Sequence, residues 1–190
     1  MRTLRETVGD VTSTLVCTSS MGSEDSCGEL LSTTTPETTF LWVTYTRPPS
    51  ACIDQFRAAG TPGSLSVIAV GDMPALTPGA DDVSVRSVST PEDLTGLGIT
   101  LSQALSTHDD AVVCFDSLTV VLQYVATETA YEFLNALTGH LYAADARAYF
   151  YLDPTAHDTQ TVEALSSLFD AIVEREDDGW SVRRQRLLQY

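Results

Sequence analysis

Ala111-Val112-Val113-Cys114-Phe115-Asp116 is a run of five apolar residues closed by one carboxylate. It has the length of a strand and no polar alternation, so it predicts a strand covered on both faces, as central strands of parallel sheets are. On its N-terminal side, Leu94, Leu97, Leu101 and Leu105 recur every three to four residues, the spacing of a helix laid on a sheet. Ser89-Thr90-Pro91-Glu92-Asp93 reads as the start of that helix, with Thr90 as N-cap and Pro91 at the first helical position. On its C-terminal side a long helix is predicted over about 130–144, with Phe133, Leu134, Leu137 and Leu141 on one face. A strand over 146–152 follows and ends in Asp153-Pro154.

The same alternation continues outward. Strands are predicted over 14–18, 39–45 and 66–70, with a further short one over 83–88. A polar loop over 19–25 leads from the first strand to a short helix near 26–31. Arg47-Pro48-Pro49 breaks the second strand, and Ser50 is placed as the cap of a helix over 51–59. A polar stretch with Pro and Gly spans 73–82. After a helix over about 158–168, strands over 169–175 and 180–188 flank the acidic turn Glu176-Asp177-Asp178-Gly179 and predict a closing hairpin. With no internal repeat, the expectation is one three-layer α/β/α domain over residues 1–190, with a mainly parallel central sheet and a C-terminal β-hairpin.

Composition bounds the setting. At 190 residues and 43% hydrophobic content the chain can bury a core without disulfides or metal. It has 26 acidic residues against ten basic ones, a net charge of −16, and all ten basic residues are arginine. A lysine-free, acid-rich chain fits selection for solubility in molar salt, where charges are screened beyond about 3 Å. Such a surface disfavours nucleic acid as a partner. No apolar run reaches the ~18 residues that span a bilayer, and the N-terminus carries no continuous apolar segment. A soluble, cytoplasmic protein without membrane insertion is expected. Cys17, Cys27, Cys52 and Cys114 show no CxxC spacing, and Cys17 and Cys114 read as small buried hydrophobes. His108, His140 and His157 form no HxH or HExxH pattern, so no metal site is predicted.

In open parallel sheets, ligands bind beyond the carboxyl ends of the strands. Two such ends carry polar groups: the loop after the first strand, in the position of a phosphate-binding loop, and Asp116-Ser117 after the strand of residues 111–116, in the form of a Walker B strand. Three other features carry alternatives. His157 between Asp153 and Asp158 suggests acid–base chemistry, but Asp158 or Thr155 capping a helix is the favoured reading. A Ser117–His157–Asp153 triad lacks the GxSxG elbow. Arg183, Arg184 and Arg186 read as a solvated edge strand, or else as a contact for an acidic partner.

The order of elements, the segment FLWVTYTRPP (residues 40–49), the strand AVVCFDSLT (residues 111–119) and the closing hairpin together resemble the KaiC-like branch of RecA-fold ATPases. More narrowly, they resemble a group of haloarchaeal KaiC-related proteins of unknown function, over about residues 12–188. The resemblance implies a Gly-rich P-loop with a lysine on the phosphates and a hydroxyl on magnesium, and acidic residues just after the second strand. This chain departs at both. Its loop of residues 18–28 has no lysine and places Glu24 and Asp25 where a triphosphate would lie, so the Walker A motif is degenerate; Tyr45-Thr46-Arg47 contains no carboxylate. What remains is a vestigial nucleotide pocket of Ser19, Gly22, Ser23, Ser26, Asp116 and Ser117, with Asp116 read as structural before catalytic. No catalytic residue and no cofactor is expected. The expected function is that of a pseudo-ATPase regulator or adaptor acting on a protein partner or as a homo-oligomer; the alternative is an ATP/Mg-binding sensor or weak ATPase with an unconventional loop.

The charge balance predicts that the fold is destabilised by self-repulsion in dilute buffer. The melting temperature should rise between about 0.1 M and 2 M KCl, and a flat or falling curve by differential scanning calorimetry would contradict the salt-adapted reading.

Overall fold

Apolar strands without alternation can be satisfied only if helices cover both faces of their sheet, and the architecture follows from that requirement. The computed structural model of the chain describes residues 2–19, 27–74, 79 and 81–184. In chain order these form α1 (Leu4–Val8), β1 (Ser13–Cys17), α2 (Gly28–Leu31), β2 (Thr39–Thr44), α3 (Pro49–Ala59), β3 (Ser64–Val70), β4 (Val83–Val88), α4 (Leu94–Ser106) and β5 (Ala111–Asp116). They continue with α5 (Leu118–Tyr124), α6 (Thr127–Ala143), β6 (Arg147–Leu152), α7 (Thr159–Ser166), β7 (Ala171–Glu176) and β8 (Gly179–Arg184). The eight strands make one sheet in the order β4-β3-β2-β5-β6-β1-β7-β8. Every neighbouring pair is parallel except β7–β8, the antiparallel C-terminal hairpin.

The two faces of the sheet have separate cores. Along β5, Val113 and Phe115 face one layer with Leu97 and Leu101 of α4, Leu134 and Leu141 of α6, and Leu165 of α7. Val112 and Cys114 face the other, with Leu4 and Val8 of α1, Leu30 and Leu31 of α2, and Cys52 and Phe56 of α3. Phe115, Phe150 and Phe169 pack in a row within the first layer, with ring centroids 5.2 and 5.1 Å apart. The three-layer α/β/α expectation with its closing hairpin is therefore met.

Several local expectations are corrected. Ser50 does not cap α3: the helix starts at Pro49 behind Pro48, so Ser50 lies inside it. Thr90 does not cap α4 and Pro91 precedes the helix; Asp93 is the N-cap, its Oδ1 accepting the Gly96 N–H at 2.7 Å. Thr90 and Asp93 both offer an acceptor, and the one whose third successor is a compact glycine prevails. Two helices were not anticipated. α1 is one turn held by a capping box between Thr3 and Glu6. α5 contains Thr119, Val120 and Val121, residues that favour strands, yet it is launched by Ser117, whose Oγ accepts the Val120 N–H at 3.4 Å.

Cys114 is not a free buried hydrophobe. It is disulfide-bonded to Cys27, whereas Cys17 and Cys52 are free and buried. The partners are 87 residues apart, and closing a loop of that length in the unfolded chain stabilises the fold by about 4–5 kcal/mol.

If Asp93 is the operative cap, Asp93→Ala should lower stability by about 1 kcal/mol while Thr90→Ala changes it by less than about 0.5 kcal/mol. Chemical denaturation of the two variants side by side checks this, and equal losses would return the cap to Thr90.

Candidate functional site

β2 and β5 are neighbours in the sheet, but the chain leaves β2 towards β3 and leaves β5 towards β6, on opposite sides. That divergence opens a crevice at their carboxyl ends, the usual place for a ligand in such sheets. Register brings Thr44 opposite Asp116 at this point, and the Tyr45 N–H donates to the Asp116 main-chain oxygen at 3.1 Å. The Asp116–Ser117 peptide bond is cis.

β1 and β6 contribute the next edge of the site. The Thr18 N–H donates to the Leu152 carbonyl at 3.1 Å, so the pairing continues one residue past the strands. A small cleft results, lined by Thr18, Asp116, Ser117, Thr119, Tyr151 and Asp153. A neighbouring cleft runs from Cys17, Thr18 and Ser19 to Pro154, Glu174 and Arg175.

Charge in the crevice is set by Asp116 and Arg47. Burial pushes the Asp116 carboxyl above the usual carboxylate range, and the Arg47 guanidinium opposes that shift. Arg47 is itself held in place. Its Nη1 bonds Gln55 on α3, and its guanidinium carbon lies 5.6 Å from the centroid of the Trp42 ring. Thr44 Oγ1 accepts the Arg47 N–H at 3.0 Å and lies 2.8 Å from the Arg47 carbonyl, to which it donates, closing the turn after β2.

Asp153, Thr119 and His157 form a second polar group. Asp153 is buried; its Oδ1 accepts from the Thr155 N–H at 2.9 Å and from the Thr155 hydroxyl at 2.6 Å. Thr119 Oγ1 accepts the Asp153 N–H at 2.8 Å and lies 3.2 Å from His157 Nε2. Asp158 caps α7 through the Thr161 N–H at 2.7 Å, as the capping reading expects. Ser117 and Asp153 thus line one cleft and His157 reaches Thr119 at its edge, but Ser117 and Asp153 are engaged in capping a helix and a turn. The two free thiols are held protonated: burial raises Cys17 to about 11, with Glu174 adding to it, and Cys52 to about 12 against the opposing pull of Arg47. Both are poor nucleophiles at neutral pH.

Of the residues predicted for the pocket, Asp116 and Ser117 sit at the crevice, and Ser19 is exposed at the mouth of the neighbouring cleft. Gly22, Ser23 and Ser26, with Glu24 and Asp25, lie outside the described residues. Arg183 is exposed on β8 and Arg184 ends that strand, while Arg186 lies outside the described residues. Among the described residues no group of three or more His, Cys, Asp or Glu side chains is arranged to hold a metal, and no helix is long and apolar enough to cross a membrane. Sequence reasoning missed Thr18, Thr119 and Tyr151 as lining residues and Arg47 as the charge partner of Asp116. Only the strand register, which the sequence does not print, brings Arg47 and Asp116 together.

Residues 12–175 match the model of a family described as "Family of unknown function (DUF7504)". No curated protein matches the chain. Among solved structures, a Pyrococcus horikoshii OT3 protein studied under the project ID PH0250 is similar over 94% of this chain and 88% of its own, with a TM-score of 0.63 and 11% identity. The uncharacterized protein PH0321 from Pyrococcus horikoshii, solved in complex with an unknown peptide, is similar over 92% of this chain and 83% of its own, with a TM-score of 0.60 and 12% identity. At these identities the likeness is one of fold.

Because the folded-state pKa of Asp116 is raised, the folded chain binds this proton more tightly than the unfolded chain, and stability falls as pH rises through that window. At neutral pH the ionised carboxylate therefore costs stability. Asp116→Asn should melt higher than the parent at pH 7, with the difference shrinking as pH drops to the ordinary carboxylate range; a parent that melts higher at pH 7 would mean that Arg47 outweighs burial.

Proposed function

This chain belongs to the DUF7504 family of unknown function, and we propose that it is a RecA/KaiC-like domain that hydrolyses no nucleotide and acts as a regulator or adaptor through protein–protein contact in a salt-rich cytoplasm. The observation that carries this reading is the Arg47–Asp116 arrangement at the crevice. Phosphoryl transfer to water needs a base beside the attacking water and cations on the phosphates. After β2, where the resembled ATPases place an acidic base, this chain has an arginine tied to Gln55 and Trp42. The chain has no lysine for a phosphate loop, and Asp116 and Asp153 line the cleft beside it. Both carboxylates would repel a triphosphate without a bound cation between them.

The retained frame supports a changed use. Asp116 joins β2 to β5 through its main chain, and Ser117 launches α5. Ser117 therefore has a structural reason to stay when hydrolysis is lost, whereas the Asp116 contact is made by main-chain atoms that any residue would supply. PH0321, a protein of the same fold, was solved with an unknown peptide, and this fits the use of such an architecture for contact with other chains. The charge balance supports the salt-rich setting: −16 with every cation an arginine.

ATP turnover and thermal shift, both in about 2–3 M KCl so that charge repulsion is screened, test the reading. No turnover and no change in melting temperature with millimolar ATP and magnesium are expected. Turnover abolished by Asp116→Ala would sink the proposal. A magnesium-dependent rise in melting temperature without turnover would instead favour a nucleotide sensor.

A further inference from the structure

We propose that the Cys27–Cys114 bond is a reversible redox clamp that sets how firmly α2 is held against the sheet. Cys27 immediately precedes α2, and Cys114 sits in the middle of β5, with the two Cα atoms 5.9 Å apart. Both side chains are buried, at 2% and 0% exposure, in the apolar layer that α1, α2 and α3 form over the sheet. The bond thus ties an outer element directly to the strand that carries Asp116.

α2 depends on that tie. It has four residues and no side-chain cap, and one turn of helix has no stability of its own. Its other polar anchors are few among the described residues. Glu29 accepts the Trp180 indole N–H at 3.2 Å and pairs with Arg175 at 3.5 Å, and Arg5 donates to the Thr33 carbonyl at 2.9 Å just beyond the helix. Arg175 also lies over the Trp180 ring at 5.0 Å, so Glu29, Arg175 and Trp180 form one contact between α2 and the hairpin β7–β8. Salt weakens the partly exposed ion pair in that contact. Leu30 and Leu31 remain as the apolar anchor. Without the disulfide, α2 becomes one of the least stable parts of the fold, and its looseness reaches the hairpin through Glu29.

The chemistry balances as ordinary thiol–disulfide exchange. When α2 opens, a thiolate of a low-molecular-weight dithiol attacks Cys27 Sγ; the Cys27–Cys114 bond breaks, and Cys114 leaves as a thiolate that takes a proton from water. The second thiol of the reductant then displaces Cys27, which leaves as a thiol, and the reductant departs as a cyclic disulfide. In the oxidising direction the Cys27 thiolate attacks a low-molecular-weight disulfide and releases one thiol; Cys114 then attacks Cys27 Sγ, closing the bond and releasing the second thiol, and the two cysteine protons pass to the leaving thiolates. Cys17 and Cys52 do not compete, because they are held protonated on β1 and α3, elements that stay in place when α2 opens.

The wild-type chain in molar KCl, incubated with oxidised glutathione or with dithiothreitol, tests this without depending on a variant. Alkylation after denaturation should label two thiols in the oxidised chain and four in the reduced one. Amide hydrogen exchange over residues 28–33 should accelerate on reduction by at least about tenfold and stay faster than exchange in β2 and β3, whose protection falls only with the global stability of the fold. Cys27→Ala should exchange like the reduced chain under both conditions. Four labelled thiols after oxidation would overturn the proposal, and so would identical exchange over residues 28–33 in the two states.

Discussion

Strand β5 is cut off from water on both faces, so every main-chain N–H and C=O along it must be met within the plane of the sheet. β2 and β6 meet them, in parallel register on either side. With those neighbours fixed, the helices sort themselves by the parity of β5. Val113 and Phe115 require cover from α4, α6 and α7, and Val112 and Cys114 require it from α1, α2 and α3. The same parity aims Cys114 at Cys27, and the length of the strand delivers Asp116 to the crevice where β2 and β5 diverge. One desolvated strand thus determines both layers, the covalent tie and the position of the candidate site.

The charges around this frame follow a consistent pattern. A chain with 26 acids and ten arginines uses several of those arginines at junctions between elements. Arg57 and Asp82 join α3 to the start of β4 through two hydrogen bonds at 2.6 and 2.9 Å. Arg147 and Asp110 pair at 3.5 Å at the opposite ends of β5 and β6 from the crevice, and Arg175 pairs with Glu29. The planar fork of arginine gives two directed donors to one carboxylate, a geometry that a lysine ammonium cannot supply. Arg47 also sits at a junction, tying the turn after β2 to Gln55 on α3 and to the Trp42 ring, with its charge acting on the partly buried Asp116.

Much of the fold was legible because periodicity reports burial directly. The apolar runs that became β2, β3, β5 and β6 lack alternation for the physical reason just given, and the leucine spacing of α4 is the imprint of one buried helical face. What was not legible were features decided by competition or by distance in space. Thr90 reads as the cap of α4, whereas the structure gives that place to Asp93, whose third successor is Gly96. The β-branched content of α5 conceals a helix whose start is fixed by Ser117. The site was legible only as strand ends. Asp116 and Ser117 could be found because they close an apolar run, whereas Arg47, Thr18 and Tyr151 reach the same region through strand order, which no local pattern encodes. The pairing of Cys27 with Cys114 was hidden for the same reason: 87 residues separate them, and no spacing rule links a helix start to the middle of a strand.

That separation also partitions the molecule. The covalent ring closed by Cys27 and Cys114 contains α2, β2, α3, β3, β4, α4 and most of β5, so its strands are one contiguous half of the sheet, β4-β3-β2-β5. The other half, β6-β1-β7-β8, is built from chain outside the ring. A stretching force applied between the two ends of the chain would pass from β1 through the sulfur bridge into β5 and on to β6, bypassing the ring. About 300 Å of extensible chain would stay out of the load path, and β2, β3 and β4 would feel tension only through the sideways pull of their neighbours. The bridge therefore makes the protein mechanically two bodies, one load-bearing and one sheltered, although a single sheet runs through both.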